Sequence, residues 1–185
     1  MMGNRGVLHD AAGRIRRTWA LQRWIVCVLE FRGRHRTVMA PGRYTELFFL
    51  DEATAFAAGH RPCAECRHRR FLDFCAAWKT GAARPRAIEI DERLHRERLT
   101  AAGGKRTFTA ELRTLPDGVF VRRGSWGEDV YLVKGHDLLR WSPGGYVRGR
   151  PRPNEGEVDV LTPRSIVRAI RAGYVPELHP TADLR

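Results

Sequence analysis

The sequence has no long apolar run, few lysines and few cysteines. Its longest apolar stretch, Trp24–Leu29, is too short to cross a membrane and fits a buried strand instead. The N-terminal segment is rich in Gly and Arg and has no apolar segment of the kind found in signal peptides. We therefore expect a cytoplasmic protein with no membrane partner, whose four cysteines are metal ligands or buried thiols rather than disulfides.

Several catalytic motifs are also missing. No spacing matches a Ser–His–Asp triad, a Walker phosphate-binding loop or a zinc-protease helix. The zinc-deaminase signature is incomplete, because Pro62–Cys66 supplies its Pro-Cys-x-x-Cys part but no His-x-Glu precedes it. The segment His95–Glu97 has that form but follows the cysteines, which is the wrong order. The sequence therefore does not indicate a reaction directly.

Basic residues are in clear excess, with 33 Lys and Arg against 21 Asp and Glu and a formal net charge of +12. Lys occurs only at positions 79, 105 and 134, so almost all of this charge is arginine. A GC-rich genome would explain Arg in place of Lys, but not the excess of basic over acidic residues. The charge favours a polyanionic partner, namely DNA, RNA or nucleotides.

The first half of the chain predicts short strands followed by helices. Strands are expected at Arg23–Phe31, Arg34–Met39 and Tyr44–Leu50. Asp51 should cap a helix over Glu52–Ala58 that Gly59 ends in a left-handed conformation. A second helix should begin near Cys66, and its buried stripe is Phe71, Phe74, Cys75 and Trp78.

The second half predicts one charged helix, a set of strands and a last helix. The charged helix covers Ile88–Leu99, with Ile88 and Leu94 facing inward and the charged residues, Asp91 and Arg98 among them, facing outward. The strands are expected at Val119–Val121, Val130–Lys134, Leu138–Trp141 and Val158–Leu161. Thr162 should cap the last helix, with Pro163 in its first turn, and this helix should bury Ile166, Val167 and Ile170.

The pair Cys63 and Cys66 is a typical half-site for a metal ion. Two thiolates separated by two residues can reach one ion, and Zn²⁺ prefers sulfur and nitrogen ligands at tetrahedral angles. Cys27 and His9 are the predicted remaining ligands, with His35 as a substitute for His9. Four protein ligands would make the site closed and structural, whereas three ligands and an open position would make it reactive.

The segment Phe48–Cys66 resembles the second half of the zinc-binding N-terminal domain of the Ada DNA-repair protein. That family shows a strand, a helix with a Glu-Ala pair, a Gly, and then Arg-Pro-Cys-x-x-Cys. These features fall here on Phe48-Phe49, Glu52-Ala53, Gly59 and Arg61–Cys66. The resemblance implies a bound zinc ion and a role on DNA, since zinc-bound thiolates in Ada repair methylated phosphates. The family takes its first ligand pair from the preceding segment, which here, at Phe31–Met39, holds His35 and no cysteine.

These observations together predict the α+β class, with a small zinc-bearing, Ada-like α/β lobe packed against a small antiparallel sheet and a C-terminal helix. We expect the Ada-like lobe over residues 1–80, a charged helix and linker over 81–105, and the antiparallel β lobe with its helix over 106–185. The alternative is that all of these parts pack as a single domain.

Two further groups of residues are candidate functional sites. His95, Glu97 and Lys105 could form an acid–base and phosphate-binding cluster, although a solvated helix face followed by a basic loop is the simpler interpretation. Arginines crowd around the metal half-site and could grip nucleic-acid phosphates. They are Arg32, Arg34, Arg36, Arg43, Arg61, Arg67, Arg69 and Arg70.

Three functions remain open from the sequence. The first is a zinc-stabilised, nucleic-acid-binding protein that acts on DNA in repair or modification. The second is an enzyme on a nucleotide, base or phosphate substrate, with a cleft between the zinc lobe and the C-terminal sheet and acid–base residues from among His9, His95, Glu97 and Lys105. The third is an interaction module whose zinc is only structural.

Overall fold

A computed structural model describes residues 1–34, 37–78, 81 and 83–183 of the chain. Its described part belongs to the α+β class, as predicted. The helices are α1 (Glu52–Ala57), α2 (His68–Trp78), α3 (Ala87–Arg98) and α4 (Arg164–Arg171). The strands are β1 (Met2–Asn4), β2 (Ile25–Cys27), β3 (Leu47–Phe48), β4 (Arg61–Pro62), β5 (Phe108–Glu111), β6 (Phe120–Arg122), β7 (Tyr131–Lys134), β8 (Asp137–Ser142), β9 (Gly145–Pro151) and β10 (Glu157–Val160).

The N-terminal sheet has four short strands in the order β3-β1-β2-β4. Strand β1 lies in the interior of this sheet and pairs antiparallel with both β2 and β3. Strand β2 pairs parallel with β4, so that Val26 lies opposite Pro62. The sequence did not predict β1, because Gly3 and Asn4 are typical of turns and the partners of this strand lie more than twenty residues away.

Three predicted strands differ from the structure. The strand expected at Arg23–Phe31 is shorter and ends at Cys27. The strand expected at Tyr44–Leu50 covers only Leu47–Phe48, which is β3. The described residues of Arg34–Met39 form no strand. Positive φ angles of 52° at Arg32, 65° at Gly33 and 59° at Met39 turn the backbone repeatedly in this region, which prevents an extended ladder.

The second sheet has six antiparallel strands in the order β5-β10-β6-β7-β8-β9. Four of them occur where the sequence predicts strands, whereas β5 and β9 were not predicted. Strand β9 contains Gly145, Gly149 and Pro151, which normally indicate turns. Gly149 is needed here, because a Cβ atom at this position would lie only 2.7 Å from both the Leu138 carbonyl and the Tyr131 ring.

The largest core cluster draws on all three predicted segments of the chain. It combines Phe56, Phe74 and Trp78 from α1 and α2 with Leu94 from α3, and it continues into the sheet and α4. Its members from those two elements include Val121, Val133, Val158, Ile166 and Ile170. A core shared in this way is what the single-domain alternative requires.

Several helix features agree with the sequence, but α3 turns a different face inward. Asp51 caps α1 by accepting a hydrogen bond of 2.8 Å from the Thr54 N–H, and Gly59 has a φ of 87°. On α3, however, Ile88 is 58% exposed, whereas Asp91 and Arg98 are only 5% and 1% exposed. The prediction was right for Leu94, which is fully buried, and wrong for the other three residues. Asp91 and Arg98 can lie inside because ion pairs and hydrogen bonds with distant residues satisfy their charged groups.

Helix α4 buries Ile166, Val167 and Ile170 as predicted, but Thr162 does not cap it. The Thr162 hydroxyl instead accepts a hydrogen bond of 3.0 Å from the Phe120 N–H. No helix among the described residues is long and apolar enough to cross a lipid bilayer.

Candidate metal centre

Three cysteines, Cys27, Cys63 and Cys66, come together and are called the cysteine group below. Their sulfur atoms all lie within 4.8 Å of one another. Cys27 ends β2, Cys63 directly follows β4, and Cys66 lies two residues before α2. The parallel pairing of β2 with β4 brings them together, and the Cys63 N–H donates a hydrogen bond of 3.0 Å to the Val26 carbonyl. Residues 36 positions apart in sequence thus become neighbours.

The cysteine group has the chemistry and the spacing of a metal site. Thiolates on a tetrahedral zinc ion are about 3.8 Å apart, given a Zn–S bond of about 2.3 Å. The backbone N–H of Glu65 also donates to the Cys63 sulfur at 3.4 Å. Such N–H donors offset the negative charge that thiolates bring to a metal. The three cysteines could therefore hold a metal ion.

The three thiols have different proton affinities. Hydrogen bonds from the Cys27 thiol and from the Cys66 and Glu65 N–H groups lower the pKa of Cys63 to about 5. The hydrogen bond to Cys63, together with burial, raises the pKa of Cys27, and burial raises the pKa of Cys66. One thiolate shared by two thiols is the expected state without a metal, and an ion that binds all three must displace the other protons.

The structure does not bring His9 into the cysteine group. His9 is 6% exposed, and its Nδ1 lies 2.6 Å from the Thr45 hydroxyl. Because the Ala40 carbonyl, 3.3 Å from Nε2, can only accept, Nε2 donates to it, and in this tautomer Nδ1 accepts from the Thr45 hydroxyl, which itself accepts the Leu8 N–H. His9 is thus engaged in holding the N-terminal segment. His35, the predicted substitute, lies outside the described residues.

The cysteine group lies in the wall of a cavity of about 860 Å³. This volume is within the range of small-molecule sites. Arg34 and Glu65, which are both exposed, form an ion pair of 2.7 Å beside the cysteines. Polar side chains of Asn4 and Gln22 also face the cavity. No sequence signal pointed to these two residues, because only the tertiary structure brings them near the cysteines.

Two of the predicted phosphate-binding arginines are buried, which corrects that part of the prediction. Arg61 is 2% exposed and makes two hydrogen bonds, of 2.9 and 2.8 Å, with the Asp91 carboxylate. Arg67 is 6% exposed and contacts Glu52 at 2.8 Å and Glu177 at 2.9 Å. Their charges are satisfied inside the protein, so neither guanidinium is free to bind a nucleic acid.

The other predicted arginines differ in exposure. Arg32, Arg34 and Arg43 are exposed around the loop that follows β2, and Arg69 on α2 is exposed as well. Arg70 is half-buried and pairs with Glu52 at 2.5 Å. Arg36 lies outside the described residues. The exposed arginines of this set lie on the loop after β2 and on α2, the segments that follow Cys27 and Cys66 in the chain. They are Arg32, Arg34, Arg43 and Arg69, and we call them the arginine surface.

The proposed acid–base cluster of His95, Glu97 and Lys105 is not assembled as one site. The Glu97 carboxylate accepts the Ser165 N–H at 2.8 Å and the Ser165 hydroxyl at 2.7 Å, so it caps α4 in place of Thr162. His95 Nδ1 lies 3.2 Å from Arg98, and the Lys105 ammonium donates to the Ala57 carbonyl. The role of Glu97 is therefore structural, and because its side chain is only 11% exposed it does not belong to a solvated helix face either.

Comparisons of this chain with protein-family models, with curated proteins and with solved structures each found no match. The resemblance of Phe48–Cys66 to the Ada domain therefore remains a prediction from sequence.

Proposed function

We propose that this chain is a zinc-binding protein that binds nucleic acid, in particular DNA, through the arginine surface beside the cysteine group, in a repair or modification process. The observation that carries the proposal is the convergence of Cys27, Cys63 and Cys66 within 4.8 Å. Thiolate ligands favour zinc among the metal ions that proteins commonly bind as structural centres. The zinc would be held by these three residues, and the Glu65 N–H, which donates to the Cys63 sulfur at 3.4 Å, would support that thiolate.

The charge of the protein supports the nucleic-acid part of the proposal. The net charge is +12, and the side chains of Arg32, Arg43 and Arg69 are exposed at the surface. Arginine forks bind phosphate oxygens in a two-point geometry. A protein with this charge is drawn to polyanions over long distances, so DNA is a partner that its electrostatics favour.

Metal analysis tests the zinc part. We expect about one zinc ion per purified chain, and its loss in Cys63→Ala, because removing one of three thiolates weakens coordination severely. Cys75→Ala is the matched control, since Cys75 is fully buried in the main core and lies outside the cysteine group. Equal metal content in Cys63→Ala and in Cys75→Ala would contradict the proposed centre.

Salt-dependent binding tests the DNA part. The triple variant Arg32→Gln/Arg43→Gln/Arg69→Gln should bind duplex DNA more weakly, and its log–log dependence on salt should be shallower by about 0.9 for each phosphate that it no longer neutralises. The matched control is Arg113→Gln/Arg122→Gln/Arg148→Gln, which removes equal charge from exposed positions around the six-stranded sheet. If both triple variants weaken DNA binding equally, the arginine surface is not the binding site.

A second function is favoured by the cavity beside the cysteine group. An enzyme acting on a nucleotide or a base would need a concave site of this kind next to its metal. Ile88 lines the cavity and is 58% exposed, so Ile88→Trp should fill the space without disturbing the core. This variant should abolish saturation-transfer NMR signals from a bound nucleoside monophosphate, whereas Val147→Trp, at a position 46% exposed, should keep them. No signal with the wild type would exclude nucleotide binding there.

A further inference from the structure

Three cationic side chains, Arg5, Arg98 and Lys105, gather around Trp24 and His60, and we call them the Trp24 cluster. The guanidinium carbons of Arg5 and Arg98 each lie 3.8 Å from the centroid of the Trp24 ring. Arg5 Nε donates to His60 Nε2 at 3.3 Å. Trp24 is 2% exposed and His60 is fully buried, so the centre of the cluster is shielded from water.

The hydrogen-bond partners of the Trp24 cluster are neutral. Arg98 donates to the Gly59 carbonyl at 2.9 Å and to the Gln22 carbonyl at 2.5 Å. Lys105 donates to the Ala57 carbonyl. Two of these carbonyls lie at the C-terminal end of α1, where cations are favourable. These hydrogen bonds satisfy backbone acceptors, but they bring no negative charge to offset the positive charges.

The other buried arginines of the described part are paired with carboxylates. Arg61 and Arg67 are paired with Asp91 and Glu52, respectively. Among the ion pairs of residues 1–34, 37–78, 81 and 83–183, none involves Arg5, Arg98 or Lys105. The Asp91 carboxylate favours the charge of Arg98 at a distance, but it is already bound to Arg61. The Trp24 cluster is thus a concentration of positive charge without counter-charge.

The electrostatic consequence appears in the pKa values. Burial and the charges of Arg5 and Arg98 lower the pKa of Lys105 to about 7. Burial chiefly, with repulsion from Arg5 and Arg61, lowers the pKa of Arg98 to about 9. Burial lowers the pKa of Arg5 to about 10. Like charges held this close disfavour each other, which an added negative charge would relieve.

Two residues of the cluster are partly accessible to solvent. Arg5 is half-buried, and Lys105 is exposed as a residue although its ammonium turns inward to the Ala57 carbonyl. The terminal nitrogens of Arg5 make no hydrogen bond with the described residues, and the Lys105 ammonium uses one of its three protons on Ala57. Arg5 and Lys105 thus keep hydrogen-bond donors that the described residues do not use, and the buried Arg98 adds a third positive charge to the cluster.

We propose that Arg5, Arg98 and Lys105 form a binding site for a phosphate group. Phosphate fits this arrangement because it carries up to two negative charges and several acceptor oxygens, which match an arginine fork and an ammonium side by side. A single carboxylate would leave part of this positive charge uncompensated. None of the three residues belongs to the cysteine group, so the proposal does not rest on the metal centre or on the arginine surface.

Phosphate titration at constant ionic strength tests the proposal, with inorganic phosphate as the probe and chloride as the balancing anion. Saturable binding by the wild-type chain should weaken on the order of tenfold or more in Lys105→Gln and in Arg5→Gln, because each loses charge-assisted hydrogen bonds. Arg113→Gln, an exposed arginine of the six-stranded sheet region, should bind as the wild type does. Both test positions reach solvent, so these variants should fold, which circular dichroism can check.

A second measurement does not depend on variants. In a protein labelled at its tryptophan indoles, phosphate should shift the Trp24 resonance and leave that of Trp126 unchanged, because Trp126 lies beside the six-stranded sheet. Absence of saturable binding, or equal affinity in all three variants, would overturn the proposal. An oligonucleotide that displaces phosphate would identify a nucleic-acid backbone as the source of the group. Displacement by a nucleoside monophosphate alone would identify a small molecule.

Discussion

Two regions of this molecule bury arginines in opposite ways. In the first, Arg61 and Asp91 form a two-point ion pair in which both side chains are at most 8% exposed. In the second, the Trp24 cluster holds Arg5, Arg98 and Lys105 against an indole ring and backbone carbonyls. Burial of charge is costly in both regions, but only the first supplies a counter-charge. The charges of the first region therefore compensate each other, whereas the uncompensated positive charge of the second region favours binding of an anion.

The cost of burial is visible even in the paired region. Burial raises the pKa of Asp91, and the hydrogen bonds and charge of Arg61 oppose that rise. Such pairs are strongly interdependent, because either partner alone would be a buried, uncompensated charge. In the Trp24 cluster, by contrast, removal of one cation relieves repulsion on the others. Substitutions should therefore change the free energy of unfolding by different amounts in the two regions. For Lys105, the substitution should also change how that free energy depends on pH.

The largest effect is expected from Asp91→Asn. This change leaves the Arg61 guanidinium buried without a counter-charge, and it should lower the free energy of unfolding by about 3–5 kcal/mol. Urea unfolding at neutral pH measures it. The double variant Arg61→Met/Asp91→Leu removes both charges and should recover most of the stability. A single variant that is no less stable than the double variant would show that the pair is not strongly coupled.

A smaller destabilisation is expected from Arg98→Met. The Gly59 and Gln22 carbonyls lose their donor, at a cost of about 1–3 kcal/mol, while relief of the repulsion with Arg5 and Lys105 offsets part of it. The same unfolding experiment measures this change. The Arg98 side chain also packs closely on Gly59, where an added Cβ atom would lie 2.6 Å from Arg98 Cδ. If Arg98→Met costs as much as Asp91→Asn, the contrast between the two regions fails.

Lys105→Met should change how stability depends on pH rather than stability alone. The folded pKa of Lys105 is lowered from 10.5 to about 7, so between these values the unfolded chain binds a proton that the folded chain does not. The stability of the wild type should consequently rise with pH across this window, in phosphate-free buffer, and Lys105→Met should flatten that rise. Lys134→Met is the matched control, because Lys134 faces Asp183 at 3.5 Å instead of other cations. If the pH dependence of stability is the same in Lys105→Met as in the wild type, burial and the neighbouring cations do not lower the pKa of Lys105.

The smallest effect is expected from an exposed pair. Asp73→Asn breaks the ion pair of 3.5 Å with Arg69, whose side chain is 89% exposed. Because water and salt screen such charges, the free energy of unfolding should change by about 0–1 kcal/mol, and less at high salt. Thermal or urea unfolding at low and high ionic strength measures it. A destabilisation comparable to that of Asp91→Asn would mean that exposed and buried ion pairs contribute equally to the stability of this protein.

The helices and the metal half-site could be predicted from the sequence because their signals are local. Asp51 caps α1 three residues before the N–H it accepts, and the apolar stripe of α2 repeats within four residues. Cys63 and Cys66 are likewise separated by a single turn. Cys27 was also a predicted ligand, but no local signal places it beside them, because 36 positions separate it from Cys63.

What the sequence by itself determined is thus the set of local structures: the α+β class, the helices and the Cys-x-x-Cys turn, all of which depend on residues a few positions apart. The tertiary structure alone decided that β1 enters the first sheet, that Arg61 meets Asp91 across 30 positions, and that Arg5 and Arg98 both lie over Trp24. An arginine on the surface and one in a buried ion pair have the same local pattern. Their difference depends on partners that only chain folding brings within a few ångströms, where burial makes charge costly and its compensation decisive.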